Sequence, residues 1–79
     1  MTRAEAIIEA RRLRAAGEFR RQIVQRTPDD IRYDCFELVC GHHMLLMAAL
    51  VRAGEEALLC HRCMEAWVEA QVNGPPPAG

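Results

Sequence analysis

The sequence predicts a small α+β domain held closed by a staple other than its own core. Three observations carry that expectation. The chain has 79 residues, enough for one domain with little interior, and chains of this size commonly add a metal or disulfides. A run of helix formers opens the chain, a β-type segment follows, and a second helical pattern closes it. Two clusters of sulfur and nitrogen donors, Cys40-Gly-His-His43 and Cys60-His-Arg-Cys63, stand sixteen residues apart.

The elements follow in order. Residues 3–25 read as a helix. Thr2 and Glu5 have capping-box spacing, and Ala, Glu, Arg, Leu and Gln dominate. Ala4, Ile8, Ala15, Phe19 and Ile23 share a stripe, with Ile7 and Leu13 beside it. Gly17 marks a bend or a break, and Thr27-Pro28-Asp29-Asp30 ends the helix, because proline disfavours helix at the residue before it. Residues 31–39 read as a strand. Ile31, Tyr33, Cys35 and Val39 lie on one face, interrupted by Glu37, and Phe36 and Leu38 lie on the other, so both faces are partly apolar.

Met44 to Val51 is uniformly apolar, and periodicity does not choose between strand and helix there. Met, Leu and Ala favour helix. Position favours the first arm of a hairpin, with Arg52-Ala53-Gly54-Glu55 as turn and Ala57-Leu58-Leu59 as return. Residues 61–72 read as a helix through Met64, Trp67, Val68 and Val72, stopped by Asn73-Gly74. The expected organisation is an Arg-rich N-terminal helix over 1–27, a metal-binding domain over 28–73 and a disordered tail over 74–79.

The staple is a metal rather than disulfides. The first residues are charged where a signal peptide needs an apolar run, and the longest apolar stretch is too short to span a bilayer. A cytoplasmic location with no membrane association is expected, and a reducing compartment keeps thiols available as ligands. Two short donor pairs joined by a hairpin-sized gap are how small domains build a tetrahedral zinc site. The expected ligands are Cys40, Cys60 and Cys63, with one of His42, His43 or Cys35 as the fourth. His42 makes a Cys-Gly-His knuckle, His43 gives C-x-x-H spacing, and Cys35 would complete a four-cysteine set. Gly41 supplies the tight turn. Cys60 and Cys63 open a helix, where free N–H groups favour thiolate. The expected cofactor is one structural Zn2+.

A strand, a Cys-Gly-His knuckle, a hairpin and a helix whose first turn carries Cys60 and Cys63 resemble a treble-clef zinc finger or its zinc-ribbon relatives over residues 31–72. The layout of N-terminal helix, four-ligand finger and C-terminal helix is also similar to the DksA/TraR type of RNA polymerase regulators. That resemblance implies a transcription regulator that binds RNA polymerase. In that type the first ligand pair is usually C-x-x-C and the N-terminal segment has an acidic tip, whereas here the pair is Cys/His and the segment is basic.

The net charge of −1 hides an asymmetry. Residues 1–26 carry seven Arg against three Glu, and residues 27–79 carry three Arg against eight acids. Arg11, Arg12, Arg14, Arg20 and Arg21 are the candidate phosphate contacts of a nucleic-acid-binding reading. Glu9 with Arg12 and Glu18 with Arg21 have the spacing of ion pairs on a solvated face, and the acidic remainder disfavours a nucleic acid lying across the finger. Nuclease chemistry on a treble clef needs a metal-binding helix histidine and usually an asparagine; residues 44–72 contain no asparagine, their one histidine, His61, is wedged between Cys60 and Cys63, and four good ligands close the metal to substrate. The sequence therefore reads as a small non-enzymatic zinc-binding adaptor or regulator acting by protein–protein interaction. Its expected partner is a larger protein or complex, with homodimerisation through the N-terminal helix and nucleic-acid binding as the alternatives.

Overall fold

A computed structural model describes residues 1–74. It contains two α-helices and one four-stranded antiparallel sheet, an α+β architecture. The chain forms two compact units, one from Met1–Phe19 with the stretch from His61 onward, the other from Arg20–Cys60. Of the tail expected over 74–79, residues 75–79 lie outside the described residues.

The helical unit is built from α1 (Arg3–Ala15) and α2 (His61–Asn73). The capping box is present at the start of α1: the Thr2 N–H donates to Glu5 Oε1 at 3.0 Å, and the Glu5 N–H donates to the Thr2 hydroxyl oxygen at 3.2 Å. The Thr2 backbone bond, followed by the bond with its side chain, holds the Glu5 carboxyl below its ordinary range. The helix ends in a Schellman motif. Gly17 takes φ 85°, its N–H bonds the Arg14 carbonyl at 3.0 Å, and the Glu18 N–H bonds the Leu13 carbonyl at 3.0 Å. Arg3 and Glu69 pair at 2.7 Å, and the Met1 amino group reaches the Gln71 carbonyl at 3.5 Å, so α2 runs antiparallel to α1. The Arg3 guanidinium holds the Glu69 carboxyl below its ordinary range. Phe19 meets Trp67 edge to face, with ring centroids 6.3 Å apart.

Two expectations about the N-terminal region are corrected here. The helix does not run to residue 25, because the Gly17 cap stops it and Arg20–Pro28 forms a strand. Nor is the buried stripe the expected one. Ala6 and Ala10 are buried, whereas Ile8 is 67% exposed, because α2 packs against the alanine face, where small side chains permit a close approach.

The sheet unit contains β1 (Arg20–Pro28), β2 (Tyr33–Leu38), β3 (His43–Met47) and β4 (Ala57–Leu59), in the order β3-β2-β1-β4. Helix propensity in residues 20–28 is modest, and Ile23, Val24 and Thr27 are β-branched. Pairing on both sides of β1 settles the outcome, since tertiary context overrides weak intrinsic preference. β1 pairs with β2 from Ile23↔Leu38 to Pro28↔Asp34, with a bulge between Ile23 and Gln25. It pairs with β4 from Arg20↔Leu59 to Gln22↔Ala57.

The segment after the knuckle satisfies both readings in part. Residues 43–47 are a strand, and Ala48–Leu50 make a single 3-10 turn. The expected hairpin partner is corrected: β3 pairs back onto β2, from Glu37↔His43 to Tyr33↔Met47, while Ala57–Leu59 pairs with β1 instead. β2 supplies the core of this unit, with Phe36 0% and Leu38 1% exposed.

Arg26, which the sequence did not single out, organises one side of the sheet. Its guanidinium lies over the Phe36 ring, 4.8 Å from the centroid. Its Nε donates to Asp34 Oδ2 at 2.7 Å, and its terminal nitrogens donate to the carbonyls of Ala48, Val51 and Arg52 at 3.2–3.3 Å. One planar cation thus satisfies three carbonyls of the irregular segment after β3, which its five-donor fork allows.

Candidate metal centre

Cys40 and His42 stand in the four-residue connection between β2 and β3. The β2–β3 hairpin brings the chain back on itself, and the knuckle closes with the Leu38 N–H donating to the His42 carbonyl at 2.9 Å and the Gly41 N–H donating to the Leu38 carbonyl at 2.8 Å. Gly41 takes φ 88°, a left-handed backbone that side chains with a Cβ adopt at a cost. Cys60 follows β4, and Cys63 lies in the first turn of α2. Cys60 is fully buried.

The donor atoms of Cys40, His42, Cys60 and Cys63 all lie within 4.8 Å of one another. The Cys40 and Cys60 sulfurs are 3.7 Å apart, far beyond the roughly 2.05 Å of a disulfide. His42 Nδ1 is 3.4 Å from Cys40 Sγ and 3.3 Å from Cys60 Sγ. A tetrahedral ion with metal–sulfur bonds of about 2.3 Å and metal–nitrogen bonds of about 2.05 Å places its ligands on edges of roughly 3.8 Å between sulfurs and roughly 3.5 Å between sulfur and nitrogen. The observed spacings fall close to those edges, so a Cys3His donor set is arranged to hold one metal ion through His42 Nδ1. Among the described residues this is the one group of three or more such side chains with that spacing.

The structure brings together four of the six candidate ligands and places the other two, His43 and Cys35, elsewhere. His43, a residue further on, is already in β3, and the alternation of a strand turns it to the opposite side from its neighbour. Its Nε2 lies 3.5 Å from Glu37 Oε1, its cross-strand partner, and its Nδ1 lies 3.8 Å from Cys35 Sγ. Cys35, the other candidate, faces His43 rather than the quartet. The signal that separates His42 from His43 is the Cys-Gly-His spacing, because Gly41 turns the chain so that the second residue after Cys40 folds back toward it.

A pair of variants tests this assignment. His42→Ala is expected to weaken metal binding by more than about 100-fold, beyond the 10- to 100-fold typical of losing a supporting contact, while His43→Ala leaves one ion per chain. Competition with a chromophoric chelator measures both, and equal losses would overturn the assignment. Gly41→Ala is expected to lower stability by about 1–3 kcal/mol, the cost of a left-handed non-glycine residue. Thermal unfolding of the metal-loaded chain checks it.

The five candidate phosphate-binding arginines do not share one helix. Arg11, Arg12 and Arg14 are on α1, and Arg20 and Arg21 are on β1. Arg12 pairs with Glu9, which holds the Glu9 carboxyl below its ordinary range. Arg20 pairs with Glu55 at 3.2 Å. Among the described residues no helix is long and apolar enough to cross a membrane. No family model, no curated protein and no solved structure matches the chain.

Proposed function

We propose that this chain is a small zinc-stabilised adaptor or regulator that acts by binding another protein and has no catalytic activity of its own. The observation that carries the reading is the Cys3His quartet. Three sulfurs and one imidazole nitrogen are the donor set of a structural zinc site, and four protein ligands leave no position open for a substrate or an activated water. Bound zinc would supply folding free energy to a chain too small to rely on its core alone. Cys40, His42, Cys60 and Cys63 would hold the ion.

The zinc knuckle between paired strands and the C-x-x-C at a helix start support the treble-clef resemblance. An RNA polymerase surface is one partner class consistent with a DksA/TraR-like layout. Support for a protein partner comes from the apolar side chains left outside: Leu45 is 55% and Met47 42% exposed on β3. The nucleic-acid reading is disfavoured by the division of the arginines between helix and strand and by the ion pairs of Arg12 and Arg20.

Elemental analysis of the purified chain, followed by chelation, tests the reading. One zinc per chain is expected, with loss of far-ultraviolet dichroism on chelation. A metal-free chain whose spectrum ignores chelators would overturn it. Random-sequence duplex DNA at low salt is expected to elute in the void of a column carrying the protein; salt-sensitive retention would favour the nucleic-acid alternative instead.

A further inference from the structure

The helical unit carries a groove whose charges the chain itself leaves unanswered. The groove runs along α1 from Arg3 to Arg14 and has a volume of about 360 Å3. Its floor is apolar, made of Ile7 and Ala10 from α1 and Met64 and Val68 from α2. Ile7 remains 38% exposed, so the floor is only partly covered by the two helices.

The walls are charged. At one end Arg3 is answered by Glu69 at 2.7 Å. Arg11 and Arg14 also line the groove, and neither makes an ion pair with any of the described residues. They stand three residues apart on one helix, where like charges repel. Across from them Glu65 is the one acidic lining residue without an ion pair among the described residues. The wall of α1 therefore has two unanswered positive charges, and the wall of α2 has one unanswered negative charge.

We propose that this groove docks one amphipathic helix of a partner protein, with its apolar stripe on the floor, an acidic flank against Arg11 and Arg14, and a basic residue toward Glu65. A helix fits because its backbone is satisfied internally, so it can lie on an apolar floor without orphaning polar groups. From Arg3 to Arg14 is eleven residues, roughly 16 Å at 1.5 Å per residue, which about three turns of a docked helix match. Anchors at i, i+4 and i+7 meet the floor, and opposite charges flanking the seam fix partner and orientation, as in paired helices generally. The exposed face of β2 and β3 specifies an occupant less well, because its polar groups, Glu37 and His43, face each other at 3.5 Å. The proposal rests on the protein-binding reading above and names the place and the chemistry of the partner.

The test uses the full zinc-loaded chain and a displayed library of fourteen-residue peptides with a fixed leucine stripe, the flanking positions varied among Glu, Gln and Lys. Enrichment of Glu on one flank is expected, and the enriched peptide should lose at least about tenfold in affinity to the Arg11→Glu/Arg14→Glu double variant and to Ile7→Asp. Its Lys-flanked counterpart should bind the double variant better than it binds the original chain. The substituted positions are exposed, and zinc content and dichroism of the variants check that the fold survives. Absence of any enriched peptide, enrichment indifferent to charge, self-association or DNA binding that the double variant abolishes, or a peptide whose affinity ignores these substitutions would each overturn the proposal. A charge-independent binder that ignores the groove variants would sink the groove and leave the protein-binding reading standing. A chain that purifies without metal would sink that reading itself.

Discussion

Cys60→Ser is expected to unfold residues 31–72 and to leave the purified chain without metal. Cys60 is the most buried of the four donors, at 0% exposure, and it closes two edges of the quartet: 3.3 Å to His42 Nδ1 and 3.7 Å to Cys40 Sγ. A serine oxygen is a poor zinc ligand at neutral pH and is shorter than a sulfur, so the substitution removes both the bond and the fit. In small zinc domains the binding free energy, roughly 10–16 kcal/mol in apparent terms, is folding free energy. A chain of this length has a total stability of roughly 4–12 kcal/mol at the usual range per residue, so no reserve of comparable size remains. Far-ultraviolet dichroism and elemental analysis give the result directly. A variant that keeps both its spectrum and its resistance to chelators would show that the quartet is a bystander.

Phe36→Ala is expected to cost about 3–5 kcal/mol, the usual range for deleting a buried aromatic ring. The ring is fully buried on β2, and it also forms the surface on which the Arg26 guanidinium rests. Removing it leaves a cavity and withdraws one support of the cation that ties Ala48, Val51 and Arg52 to β1. The effect should therefore exceed that of Leu38→Ala at a similarly buried neighbour. Denaturant unfolding in saturating zinc measures both, and a smaller loss at Phe36 than at Leu38 would show that Arg26 holds its place without the ring.

The parts of this chain that could be read in advance are those governed by local rules. Thr2 and Glu5 cap a helix because three residues of separation suffice for both bonds. Met64, Trp67, Val68 and Val72 mark α2 by period alone. The quartet was legible as two donor clusters, since ligand spacing is a short-range constraint. What the sequence obscured depends on distant partners. Residues 20–25 read as the end of a helix and belong instead to a strand, Arg20–Pro28, because β2 and β4 pair with it from both sides. Sequence proximity pairs the return strand Ala57–Leu59 with residues 44–51, whereas it pairs with residues 35 or more positions earlier. Gly17 reads as a bend or a break, and its role as a helix stop depends on the two bonds from Gly17 and Glu18 to the last carbonyls of α1. Arg26 carried no signal at all, because its value lies in three carbonyls that only the folded loop presents.

The position of β1 at the centre of the sheet has a consequence for how the chain is made. Emerging from the ribosome, β1 gains β2 within a few residues, and β3 then adds to the far side of β2. The other edge of β1, at Arg20, Arg21 and Gln22, waits until Ala57–Leu59 has been synthesised. For that interval a nascent chain presents unpaired backbone to any neighbouring copy, the exposure through which strands join edge to edge. Arg20 and Arg21 occupy two of the three waiting positions. Identical chains that approached this edge would bring four positive charges together, a repulsion that opposes edge-to-edge pairing until Ala57–Leu59 arrives to cover it.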